Sequence, residues 1–353
     1  HRDRIWAHNK LGVNLIRTAM VGRQPQTVIY RKNGGGLLTG ANNQIPGMTD
    51  EYHKNLADFA LSHCIAKQVG SGIDIISEGE IFRNDYWSYI LTYMTGVIFE
   101  PIDETKRLTN FKTGWSVNGI PKLKSNFLGN DWLKAQLLTS KPVKITVPGP
   151  LTLATYLDVS QSKFNLETLT NHLTKVINKE ILHTVGKGCR HIQIDDPQLA
   201  IQPDAAINFG IDLMEKCFDG VPDEVEKYLH VCRGYPDGTT FENSTNKASE
   251  DCYLKIMESL NESTIDIVSI ENAFHPSPDA LFEIISKKTL MLGVINIKSN
   301  EIESPKDIIN SVESVLKFIP KERLILAPDC GCACDPNIFY HKMNNLVTAA
   351  KQF

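Results

Sequence analysis

Lys227-Tyr228-Leu229-His230-Val231-Cys232 is a short apolar run that ends on an imidazole and a thiol. Two later runs end in a similar way. Ile265-Asp266-Ile267-Val268-Ser269-Ile270 stops at Glu271, and Leu324-Ile325-Leu326-Ala327-Pro328-Asp329 stops at Cys330. Imidazole, thiolate and carboxylate are the ligands that a borderline-soft divalent ion, zinc above all, selects. Ligands on the ends of different strands meet only if those ends gather at one place, so the metal reading and the fold reading stand together.

Working outward, such runs recur at Ile16–Val21, Ile73–Ser77, Val143–Val147, His191–Asp195, Lys227–Cys232, Ile265–Ile270, Met291–Ile297 and Arg323–Pro328. Stretches with apolar residues at helical spacing lie between them, among them Leu56–Ala66, Leu169–Val185 and Lys306–Phe318. Ser304-Pro305 ahead of the last reads as an N-cap followed by proline in the first turn. Strands alternating with helices predict a parallel sheet, and eight is the count that closes a (β/α)8 TIM barrel. The alternative is an open doubly wound sheet, which normally carries a glycine-rich first turn. Asn33-Gly34-Gly35-Gly36 lacks that spacing and reads as a loop. The expectation is a single barrel over residues 1–353, with an insertion over its mouth around 100–130, where no period is visible.

In a barrel the C-terminal strand ends build the active face. Here they carry Gly22-Arg23, Glu78-Gly79-Glu80, Pro148-Gly149-Pro150, Asp195-Asp196-Pro197, His230-Val231-Cys232, Glu271-Asn272, Lys298-Ser299 and Asp329-Cys330-Gly331. One His-x-Cys means little; the set is informative. His230, Cys232, Glu271 and Cys330 would give zinc an anionic ligand shell. Such a shell offsets the metal's charge, which makes it a poor activator of water and suits it to binding and deprotonating a substrate thiol. A closed structural zinc site, or two core cysteines with no metal, are the competing readings.

The bulk composition narrows the classes. The chain is 42% hydrophobic and 22% charged with a net charge of −4, so a sizeable core is available and no basic run predicts nucleic-acid binding. No apolar stretch is long enough to span a bilayer, so no membrane partner is expected. Eight cysteines in 353 residues are too sparse for a disulfide scaffold and point to a reducing, cytoplasmic setting.

The ordered motifs resemble the catalytic C-terminal half of cobalamin-independent methionine synthase, in the barrel superfamily shared with uroporphyrinogen decarboxylase. They are Val21-Gly22-Arg23-Gln24-Pro25-Gln26-Thr27, Gly79-Glu80-Ile81-Phe82-Arg83-Asn84-Asp85, Val147-Pro148-Gly149-Pro150-Leu151-Thr152, Gln193-Ile194-Asp195-Asp196-Pro197, His230-Val231-Cys232, Ile270-Glu271 and Pro328-Asp329-Cys330-Gly331. The resemblance implies zinc on His230, Cys232, Glu271 and Cys330, and the amino group of homocysteine on Glu80 and Asp195. It implies methyl transfer to the homocysteine thiol, giving methionine.

The departures matter as much. Where the family has Gly-Ser to receive the substrate carboxylate, this chain has Gly22-Arg23, and arginine suits a carboxylate, sulfonate or phosphate. The family's proton-donating histidine aligns with Lys298, a weaker acid at neutral pH unless desolvated. A tryptophan near the pterin aligns with Tyr156, on the donor side. In 353 residues the family's N-terminal half, which helps to hold the folate donor, is not expected. The donor therefore stays open between a folate and a corrinoid or corrinoid protein. Transfer to another thiol such as coenzyme M, and a non-catalytic zinc-binding barrel, are the alternatives. Asp85 and Asp196 are expected to orient loops, Arg83 to be an internal salt-bridge partner, and Cys332 and Cys334 to have no metal or redox role.

Overall fold

The computed structural model describes residues 16–25, 50–83, 86–100, 114–234, 247–332 and 335–353. The strands are β1 (Arg17–Thr18), β2 (Ile76–Ser77), β3 (Met94–Phe99), β4 (Trp115–Leu123), β5 (Val143–Pro148), β6 (His191–Asp195), β7 (Glu226–Val231), β8 (Ile267–Ile270), β9 (Thr289–Ile295) and β10 (Leu324–Pro328). Eight of them form one sheet in the order β1-β10-β9-β8-β7-β6-β5-β2, each neighbouring pair parallel. A parallel bridge between Ala19 and Ile75 joins its two ends. It rests on the Met20 N–H donating to Ile75 O (2.9 Å) and the Ile75 N–H donating to Thr18 O (3.0 Å). The sheet therefore closes on itself as the expected (β/α)8 barrel.

Each expected run holds one barrel strand, but the first two are only two residues long. Asp74 explains part of this. Its Oδ2 accepts from both the backbone N–H and the hydroxyl of Thr18, each at 2.8 Å, so a side chain takes the place of a ladder bond.

The core lies in two places. Ala19, Val21, Ile75, Tyr228, Ile267, Met291, Ile325 and Ala327 cluster inside the barrel, apart from the larger shell between strands and helices. Alternation does this: side chains two apart on a strand share a face. Each fully buried aliphatic side chain contributes about 1.5–3 kcal/mol. The interior also encloses Lys144, which is fully buried and donates to Gln193 Oε1, with its Nζ 5.0 Å from the Tyr228 ring centre. Burial pushes the Lys144 ammonium down to about 7.

At the opposite end from the mouth, Glu226 joins Arg17 (3.0 Å), His191 Nδ1 (3.0 Å) and the Tyr228 hydroxyl. Burial would raise this carboxyl, but His191 and Arg17 outweigh it and hold Glu226 well below the ordinary range.

The helix Pro305–Val315 begins with a reciprocal capping box between Ser304 and Asp307, as the Ser304-Pro305 signature predicts. Leu166–Gly186 is capped by Asn165, which accepts from the Thr168 N–H at 2.8 Å. Among the described residues no helix is long and apolar enough to cross a membrane.

The stretch around 100–130 contains an element that periodicity does not reveal. β3 and β4 pair antiparallel, and Asp158 ties β4 down through Val117 N–H to Asp158 O and Asp158 N–H to Trp115 O, both 2.9 Å. Asp158 follows the helix Pro150–Tyr156, which starts at the C-terminal end of β5, so the hairpin is fastened to the segment just after that helix.

Candidate active site

β7 carries His230 and delivers Cys232 just beyond its end, while Cys330 follows β10. One donor atom from each of the three lies within 4.8 Å of the others. His230 Nδ1 is engaged by Ser269 Oγ on β8 at 2.9 Å, whereas the buried Nε2 has no hydrogen-bond partner among the described residues. The neighbouring thiols split in acidity: the Cys330 thiol beside it holds Cys232 well below the ordinary thiol range, and the same contact together with burial pushes Cys330 well above it. Burial would lower His230, but the adjoining Cys232 outweighs it and raises the imidazole. A tetrahedral ion bound about 2.0–2.3 Å from nitrogen and sulfur needs its donors roughly 3.5–4 Å apart. An imidazole nitrogen without a hydrogen-bond partner among the described residues, grouped with two thiols, fits such an ion.

Glu271 follows β8 and is fully buried, but it stands outside this three-residue group. Both its carboxylate oxygens accept from Lys247 Nζ at 3.0 Å, and Arg233 Nε lies 3.9 Å away. Asp329 shapes the turn after Glu271, accepting the backbone N–H groups of Asn272, Ala273 and Phe274, each at 2.8 Å. Gly293 makes this possible, since a Cβ there would meet Asp329 Oδ1 at 2.2 Å. Burial pushes Asp329 up to about 6.

Glu80 and Asp195 come from the ends of β2 and β6. Glu80 is the one non-glycine residue with a positive φ (55°) among those described, a backbone state that persists only where its surroundings impose it. Its Oε1 accepts from Thr146 Oγ1 at 3.0 Å. Gly22 provides the space, because a Cβ at that position would sit 2.6 Å from Glu80 Oε1. Asp195 Oδ1 accepts from Gln193 Nε2 at 2.6 Å. Burial lifts Asp195 to about 7; the nearby imidazole of His230 opposes this and the charge of Glu80 adds to it. The two carboxylates therefore feel one another beside the His–Cys–Cys group.

A family model described as "Cobalamin-independent synthase, Catalytic domain" matches residues 16–352. The chain belongs to this family. Among curated relatives, the 5-methyltetrahydropteroyltriglutamate–homocysteine methyltransferase of Blochmanniella pennsylvanica is 27% identical over 98% of this chain, which spans only 44% of that protein's length. The methionine synthase of Pyrococcus horikoshii is 26% identical over 80% of this chain and 78% of its own. In fold, a B12-independent methionine synthase from Shewanella sp. W3-18-1 superposes with a TM-score of 0.82 at 23% identity, covering 96% of this chain and 97% of that one.

The remaining expected positions distribute as follows for this synthase-family barrel. Arg23 is half-buried, and its side chain makes no hydrogen bond or ion pair among the described residues, while its carbonyl accepts from Cys332 N–H at 2.9 Å. Lys298 sits half-buried in the turn after β9, with its N–H bonded to Asn296 Oδ1 (2.9 Å). That turn is braced by fully buried Lys342, whose Nζ donates to Asn296 O (2.7 Å) and Ser299 O (2.8 Å). Tyr156 stands edge-on to Trp87 at 5.3 Å and hydrogen-bonds Tyr86. Asp196 orients its neighbourhood, accepting from Leu151 N–H (3.2 Å), Thr152 N–H (3.0 Å) and Thr152 Oγ1 (2.6 Å). Arg83 is an internal ion-pair partner, 2.5 Å from Glu78. Asp85, Cys334 and Gly34–Gly36 lie outside the described residues.

Sequence reading missed Lys144, Gln193, Ser269, Lys247 and Tyr86. Ser269 was within reach, since it is two residues before Glu271 and therefore on the same strand face.

Proposed function

We propose that the protein is a zinc-dependent methyltransferase that methylates the thiol of homocysteine to give methionine. The observation that carries this is the His230–Cys232–Cys330 group, whose His230 Nε2 has no hydrogen-bond partner among the described residues, in a chain of the cobalamin-independent synthase family. Glu271 is proposed as a further ligand, exchanging its bond to Lys247 for the metal. Zinc bound there would hold the substrate sulfur as a thiolate at neutral pH.

The protein's own groups do the rest. Glu80 and Asp195 receive the substrate ammonium, which fixes the sulfur relative to the donor. Gly22 leaves room for Glu80, and Arg23 faces the substrate carboxylate. Tyr156 flanks the donor, and Lys298 supplies a proton to the leaving group. The relatives' names support 5-methyltetrahydropteroyltriglutamate as donor; a corrinoid-bound methyl is the second donor class. Thiol ligands of this kind suit a reducing cytoplasm.

The Arg23 guanidinium, which has no hydrogen bond or ion pair among the described residues, favours one further reading, in which the acceptor is a thiol bearing a stronger anion, such as coenzyme M. The test is incubation of the zinc-loaded protein with homocysteine or coenzyme M and each methyl donor, with mass detection of the thioether. Methionine formation that disappears in Cys232→Ala and Cys330→Ala supports the proposal. Methylation of coenzyme M alone supports the second reading, and no thioether from any pairing contradicts both.

A further inference from the structure

Thr146 lies on β5 inside the barrel, next to β2, because Ser77 pairs with Lys144 and Thr146 follows two residues on. It stands between a cation and a carboxylate. Arg83 Nη1 donates to Thr146 Oγ1 at 2.8 Å, and Thr146 Oγ1 lies 3.0 Å from Glu80 Oε1. Arginine has no acceptor, so the single hydroxyl proton of Thr146 is left for Glu80. Arg83 Nη2 is held by Glu78 Oε1 (2.5 Å) and by the Thr146 carbonyl (2.9 Å). Arg83 and Glu80 themselves stay 3.9 Å apart. All four side chains are buried, so water does not screen them.

We propose that Thr146 is a positioning residue that keeps Arg83 off Glu80 and so reserves Glu80 for the ammonium group of an amino-acid thiol. The inference rests on the reading of Glu80 as an amine-binding group. Its physical content is a competition. A carboxylate that closes onto a buried guanidinium forms a strong charge-assisted pair and loses attraction for a second cation. With the hydroxyl in place, Arg83 Nη1 has a neutral acceptor, and Glu80 is oriented by a donor that carries no net charge. With it removed, Arg83 Nη1 loses that acceptor, and the Glu80 carboxylate stands 3.9 Å from it. The missing Cβ at Gly22 leaves Glu80 free to sit against Thr146, whose Cγ2 that Cβ would also approach, at 3.2 Å.

The test compares L-homocysteine with its desamino analogue 4-sulfanylbutanoate, by calorimetry on the zinc-loaded protein, with thermal melting as a check on the fold. Wild type binds homocysteine more tightly. Thr146→Val, which keeps the shape and removes the hydroxyl, weakens homocysteine by about tenfold or more and leaves the analogue unchanged. Thr146→Ser restores the difference. Thr146→Ala removes the same hydroxyl with less bulk and reproduces the loss if the valine variant does not fold. Folded hydroxyl-less variants that keep the wild-type preference overturn the role of Thr146, as does equal weakening of both thiols. A wild type that binds both thiols equally overturns the amine-pocket reading itself, a result separate from either.

Discussion

Ser269 Oγ holds His230 Nδ1 at 2.9 Å, and this one contact decides which imidazole nitrogen faces the two thiols. A hydrogen bond at one ring nitrogen fixes the orientation of a metal-binding histidine and tunes its basicity. Ser269→Ala is therefore expected to weaken zinc by about 10–100-fold while the protein stays folded. Chelator competition with a colorimetric zinc indicator measures this, and unchanged affinity would remove Ser269 from the account.

The clearance at Gly22 gives a second expectation. Gly22→Ala puts a methyl group 2.6 Å from Glu80 Oε1, the far end of a movable side chain. The carboxylate shifts and the fold survives. The KM for homocysteine should rise by about tenfold or more, with a nearly unchanged melting temperature. Steady-state kinetics and calorimetric melting separate this from simple unfolding.

Asp329 anchors three backbone N–H groups of the turn behind Glu271. Asp329→Ala leaves those donors without their carboxylate, at a cost of about 1–3 kcal/mol for each that stays buried and unsatisfied. Urea unfolding should show a loss of about 3 kcal/mol or more in total. A loss under about 1 kcal/mol would mean that the turn is held by something else.

Glu78 makes stability depend on pH. Burial pushes its carboxyl up to about 8, against the pull of Arg83. Its ordinary value is 4.5, so between there and about 8 the folded state holds a proton that the unfolded state releases. Its contribution is complete below the ordinary value and is lost as pH rises through the folded value, with a slope of at most about 1.4 kcal/mol per pH unit. Glu78→Gln carries no such proton. Its urea-unfolding free energy should fall less steeply than wild type between pH 5 and pH 8, and parallel curves would refute the assignment.

Much of this was legible in the chain. The barrel could be read because apolar runs alternate with helical stretches and most of the runs end on polar residues or turn formers, and His230, Glu271 and Cys330 stand out at the ends of β7, β8 and β10. The hairpin was not legible. β4 alternates irregularly between buried and exposed positions, and its partner strand lies across a stretch without a period. Lys144 was hidden because a lysine in an apolar run reads as an outward residue, and only barrel closure turns it inward. The Lys247–Glu271 pair joins residues 24 apart across a loop, where no spacing rule reaches. Thr146 became informative only once Arg83 and Glu80 were seen on either side of it.

The central claim is that His230, Cys232 and Cys330 hold zinc in a shell open to a substrate sulfur. X-ray absorption at the zinc edge tests it most directly. The account predicts two sulfur and two nitrogen or oxygen neighbours in the resting protein, and a third sulfur on addition of homocysteine. A purified protein that takes up no zinc, or a zinc shell that does not gain sulfur when homocysteine is added in excess, would contradict it.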